Sequence, residues 1–239
     1  MARISLDGIK VFADGASVSS MIESAKDPRI QGFTTNPTLM RKAGVSDYRA
    51  FAREVLAAIT DKPVSFEVFA DDFPEMRRQA LDIATFGQNV YVKIPVTTTR
   101  SESTAPLVKE LSHAGVKVNV TAICTLAQVR AHADALAGGE PSVISVFAGR
   151  IADTGVDPVP VMRTATETCR RADKRIEILW ASPREVLNVV QAREIGVDII
   201  TLTGDLLKKL DLFGRDLDEY SLDTVRMFHG DAQAAGFRL

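Results

Sequence analysis

The sequence predicts an α/β protein built as a single (β/α)8 TIM barrel with an extra C-terminal helix, and three observations predict it. Short apolar runs rich in β-branched residues alternate with segments of helical period, the pattern of βαβ units on a parallel sheet. There are eight such runs, which argues for a closed barrel over an open sheet. A polar residue also recurs at a nearly constant step: Asp14, Asn36, Glu67, Lys93, Asn119 and Ser145 stand 22, 31, 26, 26 and 26 residues apart (differences of their numbers), one strand–helix unit each time.

The first apolar run covers residues 10–14 and ends on Asp14. The second covers 32–35 and leads to Asn36, followed by a helical pattern over 47–60. The third, 64–70, contains Glu67 and precedes a helix over 74–86. The fourth, 90–96, contains Lys93 and precedes a helix over 104–114. The fifth, 116–123, carries Asn119 and Thr121, with a helix over 126–136 after it. The sixth, 143–148, carries Ser145, with a helix over 159–172 after it. The seventh and eighth runs are 176–181 and 197–203, joined by a helical pattern over 183–195. No linker or low-complexity stretch interrupts the series, so residues 1–239 read as one domain. Barrels of about 250 residues commonly form one unit. Residues 217–239 read as the extra helix, which either caps the barrel or joins a neighbouring copy in a homo-oligomer.

Composition narrows the function. Of 239 residues, 46% are hydrophobic and 25% charged, an ordinary globular balance. Lys plus Arg is 29 against 31 for Asp plus Glu, a net charge of −2. That lacks the basic excess of a nucleic-acid or anionic-membrane binder, although local arginines can still hold an anionic substrate. The two cysteines, Cys124 and Cys169, form neither a C-x-x-C pair nor a disulfide framework, so a reduced cytoplasmic setting is expected. Residues 1–7 show no apolar leader, and no run reaches the eighteen or so apolar residues of a membrane helix. His113, His132 and His229 lie far apart in segments that read as polar helix faces or ends, so neither a histidine metal site nor a histidine triad is expected. No Gly-rich nucleotide loop is present.

Lys93 is the most informative single residue. It interrupts the apolar run Val90-Tyr91-Val92-Lys93-Ile94-Pro95-Val96-Thr97, and lysine is almost never fully buried unless paired or functional. Two readings stand at this point. One is a nucleophile that attacks a carbonyl to form a Schiff base. The other is a structural lysine that snorkels or pairs with a carboxylate. Asp14, Asn36, Glu67, Lys93, Asn119, Thr121 and Ser145 all belong to strand segments and point to one barrel axis. They form either a mutually satisfied polar layer or a catalytic constellation at the strand ends.

The motifs resemble those of transaldolases. Gly32-Phe33-Thr34-Thr35-Asn36-Pro37-Thr38 is similar to the second-strand signature, and Val92-Lys93-Ile94-Pro95-Val96-Thr97 to the fourth-strand Schiff-base motif. Val118-Asn119-Val120-Thr121-Ala122 resembles the fifth strand, and Ser145-Val146-Phe147-Ala148-Gly149-Arg150-Ile151-Ala152-Asp153 the sixth. The length resembles the short subfamily, which includes the fructose-6-phosphate aldolases. The resemblance implies a cofactor-free Schiff-base enzyme of sugar-phosphate metabolism, placed in the cytoplasm and the pentose phosphate pathway. It would transfer a dihydroxyacetone unit from a ketose phosphate such as fructose 6-phosphate to an aldose phosphate such as erythrose 4-phosphate. The alternatives are an aldolase-type lyase releasing free dihydroxyacetone and an inactive sugar-phosphate-binding barrel.

By the same resemblance Lys93 attacks C2 of the ketose and Asp14 exchanges the proton of the C4 hydroxyl. Glu67 and Thr121 hold a catalytic water, Asn36, Asn119 and Ser145 hold the dihydroxyacetone hydroxyls, and Arg150 binds phosphate. The aldolases of the subfamily carry Gln on the third strand and Tyr in the sixth-strand motif; Glu67 and Phe147 here form the transaldolase-like pair. One stretch departs from the family pattern. Leu179-Trp180-Ala181-Ser182-Pro183-Arg184 stands where Ala-Ser-Phe followed by Lys or Arg is usual. It is shorter and carries the bulky Trp180, which bears on donor and acceptor identity. Ser182 and Arg184 there either bind phosphate or, in the case of Arg184, face solvent at a helix start.

Overall fold

The computed structural model describes residues 6–238; the leader reading of residues 1–5 and the end of the predicted last helix at Leu239 lie outside the described residues. Eight parallel strands close into a barrel in chain order. They are β1 (Lys10–Asp14), β2 (Ile30–Thr34), β3 (Val64–Glu67), β4 (Val90–Pro95), β5 (Val118–Ile123), β6 (Ser142–Val146), β7 (Ile176–Trp180) and β8 (Ile199–Thr203). β8 returns to pair with β1, so no edge is left open.

The helices are α1 (Val18–Ala25), α2 (Pro37–Lys42), α3 (Tyr48–Ala58), α4 (Phe73–Ala84), α5 (Ala105–His113) and α6 (Leu126–Leu136). They continue with α7 (Ala148–Asp153), α8 (Pro158–Ala172), α9 (Leu187–Glu194), α10 (Gly204–Lys209) and α11 (Leu217–Ala235). Short polar caps start many of them. Asp47, Asp72, Asp157 and Asp216 each accept a backbone N–H of the first turn, and Thr125 forms a reciprocal box with Gln128.

Two predicted boundaries shift for identifiable reasons. The third strand ends at Glu67, before residue 70, because the Gln79 side chain takes the N–H groups of Phe69 and Ala70 away from the sheet. The helix predicted over 183–195 begins only at Leu187, because Asn188 Oδ1 accepts the N–H groups of Arg184 and Glu185 and holds them in a turn. Arg184 therefore precedes the helix instead of starting it.

Alternation along the strands divides the core into two layers. Phe12, Val143, Leu179, Ala181 and Ile199 fill the barrel interior, while a larger cluster packs strands against helices. Gly32 lies under the ring of Phe12, which any Cβ there would strike. Trp180 is fully buried in the outer layer, pointing away from its neighbours Leu179 and Ala181. The bulk of Trp180 is thus a packing feature and not part of the barrel mouth.

His132 also departs from the sequence reading: it is buried on α6, with Nδ1 2.9 Å from the Gln128 carbonyl and Nε2 3.3 Å from Thr104 Oγ1. Burial holds this imidazole below the usual histidine range. Cys169 is buried on α8, where burial pushes its thiol up to about 12. No helix among the described residues is long and apolar enough to cross a membrane. None of the residues of α11 is buried.

Candidate active site

Strand register assembles the centre of the site. Glu67, Lys93 and Asn119 are direct partners across β3, β4 and β5. They stand side by side on the inward face because parallel strands in register present equivalent positions to the same side. Lys93 is 5% exposed. Its Nζ donates to the Thr35 carbonyl at 2.9 Å and lies 3.1 Å from Glu67 Oε2. The amine thus has a carboxylate partner and also lines a cavity.

Asp14, at the end of β1, lines the same cavity. Thr34 Oγ1 donates to its Oδ1 at 2.8 Å. Burial pushes this carboxyl above the usual range, opposed by Lys93 and by hydrogen bonds from Thr34 and Asn36. Asn36 is not a strand residue, as its motif suggested. It is the N-cap of α2, with Oδ1 accepting the Leu39 N–H at 3.0 Å. Its amide is thereby fixed toward Asp14.

On the other side, Asn119 Oδ1 accepts from Ser145 Oγ at 2.7 Å while its Nδ2 donates to Ser65 Oγ at 3.0 Å. Asn119 lies beneath the cavity wall and Ser145 on it. Thr121 is 2% exposed, and among the described residues its Oγ1 and Trp180 Nε1 are the two buried side-chain polar atoms without a hydrogen-bond partner. For Thr121 the orphaned hydroxyl borders the cavity beside Lys93, which suits it to bind a water or substrate oxygen.

The cavity holds about 460 Å³, room for a sugar phosphate within the usual range of small-molecule sites. Its mouth is built by the loops after β6 and β7. Phe147 is the N-cap residue before α7, and the Arg150 guanidinium stands 5.6 Å from the centre of its ring. Arg184 is exposed, and its guanidinium is tied down by neighbours. Its Nε donates to Asp153 Oδ1 at 2.8 Å, a second nitrogen reaches Oδ2, and Nη1 donates to Ser182 Oγ at 3.0 Å. Ser182 and Ala122, both on the cavity wall, have left-handed φ of 59° and 64°, a conformation non-glycine residues adopt at a cost. Gly149 in α7 lets this helix press on the Ser182 carbonyl, which a Cβ would strike.

Of the residues singled out from sequence, all but Asn119 line this one cavity, and Asn119 supports Ser145. Thr34, Thr201 and Thr203 also line it and were missed. Thr201 and Thr203 alternate along β8, the spacing of an inward face, but threonine is common in strands and gives no contrast there.

The model of the transaldolase/fructose-6-phosphate aldolase family matches residues 11–239. The chain belongs to this family. Among its curated relatives, the "Probable transaldolase" of Clostridium acetobutylicum is 36% identical over 84% of this chain and 89% of that one. Those of Methanococcus maripaludis strain C7 and Dehalococcoides mccartyi are 34% and 32% identical, again over 84% of this chain and 89% and 90% of theirs. A solved barrel from Burkholderia cenocepacia, provisionally assigned as a phosphonomutase, superposes with a TM-score of 0.58 at 14% identity, covering 93% of this chain and 94% of that one. That likeness concerns the fold alone. Family membership makes this chain an enzyme of the transaldolase family.

Proposed function

We propose that this enzyme is a Schiff-base transaldolase that moves a dihydroxyacetone unit from a ketose phosphate such as fructose 6-phosphate to an aldose phosphate such as erythrose 4-phosphate. The observation that carries this reading is the placement of Lys93, buried in the cavity between the carboxylates of Glu67 and Asp14. The lysine amine, once Glu67 has accepted its proton, attacks C2 of the open-chain ketose. Glu67 and the orphaned Thr121 hydroxyl hold the water that carries protons to and from the carbinolamine as it loses water to become the iminium. Asp14 then takes the C4 hydroxyl proton. The C3–C4 bond breaks, its electron pair passes into the iminium, and the aldose phosphate leaves. The enamine left on Lys93 attacks the second aldehyde, Asp14 returns the proton, and hydrolysis frees the product.

Groups at opposite ends of the breaking bond must differ in acidity for such a relay. Asn36, Asn119 and Ser145 hold the hydroxyls of the three-carbon unit. Arg150, with Ser182 and Arg184, receives the phosphate, for which a planar guanidinium fork is well shaped. Phe147 supports transfer over release: its ring keeps that wall apolar and offers no hydroxyl to position a hydrolytic water or protonate the enamine. Neither metal nor cofactor enters these steps. The proposed setting is cytoplasmic pentose phosphate metabolism. A second copy of the chain, packed through α11, is the proposed protein partner; nucleic acid and membrane are not.

The test is the fate of fructose 6-phosphate with and without erythrose 4-phosphate. Fast transfer with slow release of dihydroxyacetone is expected; steady release at a comparable rate would make the enzyme a lyase. Borohydride should trap the ketose on the peptide containing Lys93. Lys93→Met should lower turnover by about 10⁴-fold or more. An adduct on another lysine would overturn the assignment.

A further inference from the structure

β1 lies between β2 and β8, and both neighbours carry inward hydroxyls near Asp14: Thr34 on β2, and Thr201 and Thr203 on β8, of which Thr203 is bonded to Asp205. Thr34 is the register partner of Asp14 on β2. Thr201 on β8 is the partner of Phe12, two residues before Asp14, so it sits on the same inward face one step deeper. Thr34 Oγ1 lies 2.8 Å from Asp14 Oδ1 and 2.6 Å from Thr201 Oγ1. Thr34 and Thr201 are 2% and 5% exposed, at the floor of the cavity.

The direction of this chain follows from counting protons. An ionised carboxylate only accepts, and a threonine hydroxyl has one proton to give. When Asp14 is ionised the Thr34 proton points at it, and Thr34 can then only accept from Thr201. The chain runs Thr201 to Thr34 to Asp14, and each bond polarises the next. When Asp14 is protonated this ordering is no longer required, because the carboxyl becomes a donor and either threonine can turn.

We infer that Thr201 is a positioning residue for proton transfer at Asp14: its hydroxyl, by donating to Thr34, holds the Thr34 proton on the carboxylate and favours the ionised, proton-accepting form. The inference rests on the acid–base role proposed above for Asp14. The charged group acting on Asp14 is Lys93 from β4, itself joined to Glu67 from β3. Asn36 faces it from the start of α2, and Thr203 of β8, bonded to Asp205, is its uncharged register partner. Arg150 and Arg184 stand at the mouth. A change confined to the Thr201 hydroxyl alters none of these charges. It weakens one of the influences that oppose burial at Asp14, so the carboxyl should hold its proton more tightly.

Thr201→Val keeps the shape and removes the hydroxyl; Thr201→Ser keeps the hydroxyl. Two readouts are needed. One is the titration of the Asp14 carboxyl by carbon-13 NMR of aspartate-labelled protein, with the signal assigned by its loss in Asp14→Asn. The other is the pH profile of fructose 6-phosphate cleavage. In Thr201→Val the Asp14 titration and the acidic limb of the profile should both move to higher pH, and cleavage at neutral pH should fall about tenfold, the worth of one good buried hydrogen bond. Borohydride trapping on Lys93 should persist, and Thr201→Ser should restore both readouts. If Thr201→Val does not fold, Thr201→Ala gives the same comparison. An unmoved Asp14 titration in the hydroxyl-free variant overturns the inference, and so does a Thr201→Ser variant that behaves like it, since that would show packing alone. If the parent protein cleaves no ketose, the proposed function fails, and the carboxyl titration still decides the role of Thr201.

Discussion

Asp14 shows how a site residue trades stability for chemistry. Burial raises its carboxyl above the ordinary value, and Lys93, Thr34 and Asn36 only partly offset this. Folding therefore favours the protonated form. The stability Asp14 contributes is present below the unfolded carboxylate pKa and is lost as pH rises through the folded one. Asp14→Asn, which removes the charge at nearly constant shape, is accordingly expected to raise the melting temperature at neutral pH, with the gap closing as pH falls below the usual carboxylate range. The same variant should block carbon–carbon cleavage by about a hundred- to ten-thousandfold while still forming a trapped adduct on Lys93. Calorimetry across pH checks the first expectation; equal melting temperatures at every pH would show that the carboxyl is not held against its charge. Asp14, Glu67 and Lys93 were legible in the sequence because a charge inside an apolar run is improbable without a task. Thr201 was not, because its contact is with a residue 167 positions away.

At the scale of elements, strands and helices were legible where periodicity was long, and boundaries were lost where one side chain decided them. Gln79 ends β3 and Asn188 delays α9. Neither is a period-2 or period-3.6 signal, so pattern reading carried the strand and the helix on. The loop after β7 is the functional case of the same effect. Its path depends on the Arg184–Asp153 ion pair, on the left-handed Ser182, and on the close approach of α7 at Gly149. Exposed ion pairs contribute little by themselves, so the backbone contact at Gly149 should dominate. Gly149→Ala must push α7 and the Ser182 carbonyl apart. The expected cost is about 1–3 kcal/mol of stability, typical of overpacking. Because Arg150 lies one residue on in α7, KM for fructose 6-phosphate should rise about tenfold or more, as small misplacements of binding groups do. Steady-state kinetics beside a denaturation curve tests both; an unchanged KM in a destabilised variant would show that this contact serves the fold alone.

At the scale of the whole molecule, the closed barrel could be read from the repeated 26-residue step, but the setting of α11 could not. The helix itself was anticipated over 217–239, and it stops at Ala235, where Gly236 adopts a left-handed φ of 66° that terminates a helix without strain. Propensity and period announce a helix, whereas what it packs against is a tertiary fact. Among the described residues it packs only loosely, since none of its own residues is buried. Turned at 100° per residue, Leu217, Tyr220, Val225, Met227 and Phe228 fall on one side. Leu217 and Phe228 remain 75% and 64% exposed. An apolar stripe of this length left in water marks an interface. The same chain also offers a groove between α3 and α4 in which Tyr48, Ile83, Phe86 and the 65% exposed Phe69 lie beside the charged Asp47, Arg49, Arg78 and Asp82, and a second copy is the expected occupant of the stripe on α11. Light scattering on the intact chain should therefore report an oligomer. Val225→Glu with Phe228→Glu should dissociate it while circular dichroism shows the barrel intact, because these side chains support no core of their own. A monomer at every concentration of the unaltered protein would refute this assembly and leave the stripe on α11 without its proposed partner.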